Sequence, residues 1–339
     1  MSPVKDKVGV VVIGRNEGER LRRCLESVCP EGPVVYVDSG SSDNSIEVAR
    51  SFTVDVVELD RSKPFSAARA RNAGLTRLLE LAPDAQYVQF VDGDCEVMPM
   101  WLEFACKELE RRPEMGVVCG RLRERFPQSS VFNRLCDLEW NSGVGEIRAC
   151  GGICMIRIRP LVDAGGFDTA LIAGEEGELC LRLRNAGWRI VRLDIPMALH
   201  DAAMTSFYQW WKRSTRAGHA YAQNISLHFR SGEKHQLRQL LSAAVWGGAL
   251  PVCGVISAVL AIWFRPALAI LAMIVALELL LVLRVWRGRM RMGDPASAAF
   301  EYGLFMVPAK AAHCIGALKF WYRIVIGRKI ELIEHKGSG

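Results

Sequence analysis

Residues 87–94 have the sequence YVQFVDGD, and this stretch decides the fold class. Its apolar beginning is typical of a buried strand, and the strand runs into an Asp-Gly-Asp turn at residues 92–94. Similar apolar runs precede it, with VGVVVI at 8–13 and VVYVD at 34–38. Helix-like stretches separate these runs. Strands that alternate with helices predict an α/β fold with a mostly parallel sheet flanked by helices.

Polar residues stand where these predicted strands end. Asn16 follows the first strand, Asp38 ends the second, and Asp92 ends the strand of the opening stretch. The carboxyl ends of parallel strands meet at one edge of the sheet, and ligands of open α/β sheets bind there. The sequence therefore predicts a binding site built from these ends.

The pattern changes in the next part of the chain. Residues 121–150 are polar and give few signals, but 151–158 (GGICMIRI) and 188–194 (WRIVRLD) are typical of strands. Between them, residues 177–187 (GELCLRLRNAG) predict a helix that ends at a glycine. We expect a first domain over residues 1–205.

Two long apolar segments follow. Residues 241–264 carry no charge, and 266–286 are apolar up to Arg284 apart from Glu278. About 20 apolar residues span the roughly 30 Å of a bilayer core, so a transmembrane helical hairpin is predicted. The alternative is a hairpin buried in a soluble core.

Two further segments complete the predicted membrane region. Residues 206–239 are rich in aromatic and basic side chains, which is typical of an amphipathic helix at a membrane interface. The alternative is a helix packed on the first domain. Residues 296–326 form a third apolar segment, interrupted by charges, that either lies along the interface or crosses the bilayer. Residues 240–339 are thus predicted to anchor the chain.

The net charge of +6 is uneven. Residues 240–339 carry 11 basic and 5 acidic side chains, which accounts for the whole excess. Because this excess lies among apolar segments, a nucleic-acid partner is disfavoured. Four arginines cluster after the predicted hairpin, at positions 284, 287, 289 and 291. Such clusters favour the cytosolic side. The N-terminus also lacks the apolar core of a signal peptide, so we expect the first domain in the cytosol.

Several acidic and basic side chains could carry chemistry. The carboxylates of Asp92 and Asp94 suit Mg²⁺ or Mn²⁺, although any acidic turn can show this spacing. Asp38 could accept N–H bonds from a nucleobase or cap the next helix. Arg69 and Arg71 suit phosphate or base contacts, or are surface residues.

The remaining candidates come later in the chain. Glu175 and Glu176 precede a predicted helix, where a carboxylate could remove a proton from a hydroxyl or could merely favour the helix dipole. His200 follows a predicted strand and could bind a metal or a phosphate. A single histidine is also often structural.

Taken in order, these segments resemble the family-2 glycosyltransferases over about residues 8–205. The motifs are VIGRNEGERLRRCLESV, VDSGSSDNS, ARARNAG, VDGD and the stretch from GEEGEL to NAGW. The resemblance implies a GT-A fold, a nucleotide-diphosphate sugar donor, Mg²⁺ or Mn²⁺ as cofactor, and transfer with inversion. By resemblance, the residues that bind the nucleotide sugar are Arg15, Asn16, Glu17, Asp38, Arg69, Arg71 and Asp92. Asp94 and Asp92, together with the candidate His200, would hold the metal. Glu176 falls where the family usually has the aspartate that acts as the catalytic base. The glutamate is one methylene longer, which leaves open whether Glu175 or Glu176 takes the proton.

Two further departures from the family pattern matter. The first strand usually ends in a Pro-Thr-Tyr-Asn-like turn, whereas this chain has Gly14, Arg15 and Asn16, so the aromatic that would stack on the base is missing there. The Gln-x-x-Arg-Trp motif of processive synthases is absent, because Gln209 and Arg213 are followed by Ser214. We therefore expect one sugar to be transferred per encounter.

These observations predict a glycosyltransferase anchored in the cytoplasmic membrane, with its catalytic domain in the cytosol. Its partners would be the sugar donor, membrane lipids, and a lipid-linked or saccharide acceptor. The alternatives are a nucleotidyltransferase, which would normally show a glycine-rich loop with a basic residue after the first strand, and an inactive membrane scaffold.

Overall fold

The chain forms two compact units in the computed structural model. The first comprises residues 1–127 and 139–203, and the second comprises 128–138 and 204–339. The first domain over 1–205 remains a prediction, and in the structure the short segment 128–138 groups with the second unit, which resumes at residue 204. The residues that the structure describes are 6–29, 32–228 and 234–327.

The first unit is built on one sheet. Its strands within the described residues are β1 (Val8–Gly14), β2 (Val34–Asp38), β3 (Asp55–Glu58), β4 (Tyr87–Asp92), β5 (Cys95–Val97), β6 (Met115–Glu124), β7 (Gly145–Glu146), β8 (Cys154–Arg157) and β9 (Arg189–His200). The helices of this unit are α1 (Glu19–Val28), α2 (Ser45–Arg50), α3 (Ala67–Leu81), α4 (Trp101–Arg111), α6 (Ile158–Asp163) and α7 (Glu175–Asn185). Helix α5 (Val131–Trp140) begins in the second unit.

The sheet is mostly parallel in its first half and mixed in its second. The strand order is β3-β2-β1-β4-β8-β6-β9-β5, and β7 pairs with β9. Strands β1 to β4 pair in parallel, while β8 runs antiparallel to both β4 and β6. The prediction of a mostly parallel sheet flanked by helices is confirmed. Helix α5 and the end of β6 lie in 121–150, where the sequence gave few signals.

Helix α3 packs against the sheet through a glycine. A Cβ on Gly74 would lie 2.3 Å from a methyl carbon of Val11 and 3.0 Å from one of Val37. Only a glycine allows this close approach of the helix to β1 and β2. Because Arg71 lies one turn earlier on α3, the same approach brings it to the carboxyl ends of the strands.

The second unit is helical in the described residues. Its remaining helices are α8 (Phe207–His228), α9 (Lys234–Ala244), α10 (Leu250–Leu260), α11 (Ala267–Arg291) and α12 (Ala296–Val325), with a π-helical turn at Val245–Ala249 that joins α9 to α10. Helix α8 begins at Phe207 because Ser206 and Gln209 cap it. Gln209 Oε1 accepts a bond from the Ser206 N–H at 3.1 Å, and Ser206 Oγ accepts one from the Gln209 N–H at 3.3 Å.

Helices α8 and α12 approach each other closely through glycines. A Cβ on Gly218 would lie 2.0 Å from the carbonyl oxygen of His313, and one on Gly316 would lie 2.0 Å from that of Thr215. Larger side chains at either position would force the helices apart. Helix α12 is therefore packed in the helical unit along much of its length, and its Glu301 also pairs with Arg134 of α5 at 2.6 Å.

Two helical stretches in the described residues are long and apolar enough to cross a membrane. They are Gln236–Leu260 and Ala267–Arg291, and only 17% and 11% of their most apolar windows are buried. A hairpin in a soluble core would be mostly buried, so this alternative does not fit. The two stretches are candidate membrane spans and correspond to the predicted segments 241–264 and 266–286. The predicted third segment, 296–326, forms α12 and is not among these candidates.

Candidate active site

Arg71 is the centre of a buried ion cluster. Its Nη2 donates to Asp92 Oδ1 at 3.0 Å, and its Nη1 donates to Glu175 Oε1 at 2.8 Å. Nη1 also lies 3.1 Å from Glu176 Oε1, and the Arg71 side chain is only 2% exposed. The structure thus brings together four residues that the sequence had singled out on three different elements.

The charges of this cluster depend on one another. Burial disfavours the charged guanidinium, but Glu176, Asp92 and Glu175 outweigh this effect and raise the pKa of Arg71. Burial raises the pKa of Asp92, and the nearby carboxylates act in the same direction while Arg71 opposes them. Arg71 therefore stays charged and keeps the acids together. Its predicted contact with the nucleoside remains a prediction, because its contacts here are with carboxylates.

The cluster requires a glycine at position 152. A Cβ on Gly152 would lie 2.4 Å from Arg71 Nη2, 2.7 Å from Asp92 Oδ2 and 3.2 Å from Glu176 Oε1. A Cβ on the neighbouring Gly151 would meet nothing within 4 Å. Sequence reasoning missed this role of Gly152. The only signal was the pair of glycines directly before a strand.

The two acids of α7 differ in accessibility. Both lie in the first turn of this helix, after Gly174, which has a φ of 77°. The side chain of Glu175 is 5% exposed, whereas that of Glu176 is 19% exposed. Glu176 is therefore the acid that a second molecule can reach. Glu178, on the same turn, pairs with Arg182 at 2.6 Å.

A second group of side chains surrounds Asp94. Strand β5 pairs with β9 so that Cys95 lies opposite His200. His200 Nε2 is 3.6 Å from Asp94 Oδ1, and the Cys95 thiol donates to the same oxygen at 3.4 Å. The ligand atoms of these residues all lie within 4.8 Å of one another. Asp92 lies just outside this group and is bound to Arg71.

This donor set fits a divalent cation. The carboxylate of Asp94 suits Mn²⁺ or Mg²⁺, which bind few protein side chains and take other ligands from phosphates and water, whereas the imidazole of His200 is a more usual ligand of softer divalent metals such as Zn²⁺ or Fe²⁺. Burial raises the pKa of the Cys95 thiol well above its usual value. Asp94 and His200, two of the predicted metal ligands, are therefore adjacent.

Glu124 and Trp140 lie beside the ring of His200. Glu124 Oε2 lies 4.0 Å from His200 Nδ1, and the Trp140 ring centroid lies 4.4 Å from that of His200. Glu124 is itself fixed, because it accepts bonds from the N–H groups of Phe126 at 3.0 Å and Ala202 at 3.1 Å. The distance of 4.0 Å from Glu124 to His200 is too long for a hydrogen bond, so Glu124 acts on His200 through its negative charge, which favours a cation bound at the ring.

We expect the variant Glu124→Gln to bind Mn²⁺ about 10- to 100-fold more weakly than the unmodified chain, because the ring of His200 loses its negative neighbour. Isothermal titration of the full chain with Mn²⁺ measures this. The variant Glu110→Gln, which removes an exposed ion pair with Lys7, should bind as the unmodified chain does. Equal affinity in both variants would show that Glu124 does not support the metal site.

Asp38 fastens the loop that follows β2. Its Oδ2 accepts bonds from the N–H groups of Gly40 at 2.9 Å and Ser41 at 2.8 Å, and its Oδ1 accepts bonds from the hydroxyls of Tyr36 and Ser41. The residue is 1% exposed. Its acceptor positions are thus occupied by the chain itself. The predicted bond from Asp38 to a nucleobase remains a prediction.

The turn after β1 is tied to the same loop. Asn16 has a φ of 55°, and its Oδ1 accepts a bond from the Ser42 N–H at 2.8 Å. The Glu17 N–H donates to Ser45 Oγ at 3.0 Å, and the Glu17 carboxylate pairs with Arg20 at 2.9 Å. These predicted donor-binding residues therefore shape the turn at the sheet edge.

The last two predicted residues, Arg15 and Arg69, lie against Phe65. Their guanidinium carbons are 5.5 and 5.8 Å from the centroid of the Phe65 ring. Sequence reasoning did not single out Phe65, since one aromatic in a polar loop gives no periodic signal.

The arrangement of sheet and acids defines the class of protein. A mostly parallel sheet, with an Asp-Gly-Asp turn after β4 and an acidic pair at the start of α7, has the arrangement of a GT-A fold. Residues 9–149 match the family described as Glycosyl transferase family 2. This part of the chain is therefore similar to that family, in agreement with the predicted resemblance.

Two relatives of known name are also glycosyltransferases. The chain is 22% identical over 253 residues to the glycosyltransferase AglE of Haloferax volcanii. This match covers 70% of this chain and 79% of AglE. It is 27% identical over 231 residues to the pre-mycofactocin glycosyltransferase of Mycobacterium tuberculosis, covering 64% of this chain and 47% of that protein. The chain thus spans about half the length of this second relative.

A solved structure has the same fold. The mannosyltransferase PcManGT from Pyrobaculum calidifontis, in complex with GDP-Man and Mn²⁺, matches 93% of this chain and 87% of its own, with a TM-score of 0.63 and 21% identity. At this identity the likeness establishes the fold alone.

Proposed function

We propose that this chain is an inverting, metal-dependent glycosyltransferase that transfers one sugar from a nucleotide-diphosphate donor to a lipid-linked or saccharide acceptor. The observation that carries the proposal is the cluster of Arg71 with Asp92, Glu175 and Glu176 beside the group formed around Asp94. It combines an accessible carboxylate with a site that suits a cation, as transfer from a diphosphate donor requires.

In the proposed reaction, Glu176 is the general base. Its carboxylate takes the proton of the acceptor hydroxyl while the oxygen forms a bond to the anomeric carbon of the sugar. The bond from that carbon to the diphosphate breaks, and its electron pair leaves with the nucleoside diphosphate. Attack from the face opposite the leaving group inverts the configuration. Arg71, which is itself bound to Glu175 and Asp92, holds Glu176 in place.

We assign the metal to Asp94 and His200, with Asp92 nearby. When bound, Mg²⁺ or Mn²⁺ would offset the negative charge of the departing diphosphate. The fold neighbour PcManGT, whose complex contains GDP-Man and Mn²⁺, supports this choice of cofactor and donor class. The predicted donor-binding residues at the ends of β1 and β2 would hold the nucleoside.

We also propose that the candidate spans anchor the enzyme in the cytoplasmic membrane, with the catalytic unit in the cytosol. Arg284, Arg287 and Arg291 are exposed near the end of α11, which favours the cytosolic side for that end. Arg289 is buried and donates to the carbonyl oxygen of Leu138, so it supports packing within the second unit. An enzyme tethered to the bilayer suits a lipid-linked acceptor.

The test is incubation of the full chain in detergent with a panel of nucleotide sugars, a lipid-linked or saccharide acceptor, and Mn²⁺. We expect release of nucleoside diphosphate with one class of sugar, and its loss on addition of EDTA or in Asp94→Asn. Transfer of a nucleoside monophosphate, with release of the sugar 1-phosphate, would favour a nucleotidyltransferase. Absence of both products, with no nucleotide bound, would favour an inactive scaffold.

A further inference from the structure

The loop between β3 and α3 carries an aromatic ring to the sheet edge where Asp38 lies. A Cβ on Gly40 would be 2.6 Å from Cζ of Phe65, so the ring lies directly on the backbone after β2. Gly40 has a φ of 78° and donates its N–H to Asp38. The half-buried ring of Phe65 thus packs on a residue whose N–H is bonded to the carboxylate of Asp38.

Guanidinium groups flank this ring. Arg15, which directly follows β1, and Arg69, in the first turn of α3, both lie within 6 Å of its centroid. Guanidinium groups near an aromatic ring provide flat, polarizable, cationic surfaces. A planar heterocycle that carries a phosphate chain is the kind of ligand that such a surface recognises.

Arg69 also fixes the loop. Its Nη1 donates to the carbonyl oxygens of Lys63 at 3.0 Å and Pro64 at 3.2 Å, and its Nη2 donates to that of Asp60 at 2.8 Å. Arg61 adds a bond from Nη2 to the carbonyl oxygen of Ser41 at 3.3 Å. Because these bonds hold the loop across the end of β2, the ring of Phe65 has one defined position.

We propose that Phe65 is the surface on which the nucleobase of the donor stacks, and that Arg69 is a positioning residue that holds Phe65. Gly14, Arg15 and Asn16 provide no aromatic at the end of β1, so the ring comes instead from the loop before α3. This inference rests on the proposed function, because it assigns the base subsite of the same donor.

The test compares ligands with and without a base. Affinities of the full chain for UDP, GDP, ADP and CDP, and for inorganic pyrophosphate, are measured by isothermal titration in the presence of Mn²⁺. For the nucleotide that binds, Phe65→Leu should weaken affinity about 10- to 100-fold, since stacking of one base contributes that much to binding. Pyrophosphate affinity should stay unchanged, and Phe65→Trp should retain nucleotide binding.

Control variants separate a binding role from a folding role. Phe104→Leu, which shortens an exposed phenylalanine on α4, should leave all affinities unchanged. Arg69→Gln should weaken nucleotide binding while Phe65 is still present. The assignment of Phe65 is wrong if Phe65→Leu binds the nucleotide as tightly as the unmodified chain does. It is also wrong if this variant loses affinity for pyrophosphate by the same factor as for the nucleotide. If the unmodified chain binds none of these nucleotides, the proposed function itself fails.

Discussion

Replacing Glu176 with glutamine is expected to lower the rate of sugar transfer by about 10²- to 10⁴-fold, the usual contribution of a general base. Glutamine has nearly the same size but cannot take the proton of the acceptor hydroxyl. Because Glu176 lies only partly within the ion cluster, with 19% of its side chain exposed, the fold should persist. The Michaelis constant for the donor should change little. Initial rates measured at several donor concentrations separate the two effects.

Glu175→Gln is the matched comparison. Glu175 lies one residue earlier on α7, is 5% exposed and accepts a bond from Arg71. Its loss should lower thermal stability. It should reduce the rate less than the loss of Glu176 does, because Glu175 is buried against Arg71 and affects catalysis only by keeping Glu176 in position. Equal turnover by the unmodified chain and Glu176→Gln would rule out Glu176 as the base. A larger loss in Glu175→Gln would assign the base to Glu175.

The sequence predicted the sheet edge well because its signals are local. Strands β1, β2 and β4 are continuous apolar runs, and parallel pairing brings the end of each to the same edge. Asp38 and Asp92 are the last residues of β2 and β4, as the runs indicated. The candidate membrane spans were predictable for the same reason, since their apolar length alone defines them.

The partners within the site could not be predicted, because they depend on contacts between distant residues. Nothing near Arg71 in the chain indicates that it binds Glu175, 104 residues later. Glu124 lies in a stretch with weak signals, and it becomes relevant only when β6 and β9 pair and bring it opposite His200. Phe65 matters because a loop folds over Gly40, and loop geometry follows from tertiary bonds such as those of Arg69.

The segment 128–138 shows the same limit. Its polar sequence gave no reason to separate it from the first domain. Contacts made within the second unit, such as the pair of Arg134 with Glu301 at 2.6 Å, explain why the structure places it there. The close packing of α8 and α12 also depends on small residues meeting across helices, which hydropathy does not reveal.

Replacing Arg71 with methionine is expected to destabilise the first unit by about 3–5 kcal/mol, because Asp92, Glu175 and Glu176 would keep their charges without the buried cation that pairs with them. Methionine fills a similar volume, so the loss comes mainly from charge. For a unit of this size the unfolding midpoint should fall by roughly 6–20 °C. Thermal unfolding of the full chain in detergent, followed by fluorimetry, measures this. Transfer activity should also be lost, since Glu176 would no longer be held.

Arg159→Met provides the control for removing an arginine that pairs with an acid at the surface. Arg159 is 93% exposed and lies 3.8 Å from Asp163, so its loss should change stability by less than about 1 kcal/mol. The stability of Arg71→Lys should lie between those of Arg71→Met and Arg159→Met, because lysine keeps the charge but lacks the planar guanidinium that reaches several carboxylates at once. If Arg71→Met unfolds at the same temperature as Arg159→Met, the buried cluster does not stabilise the fold. The carboxylates would then have to be held by other contacts.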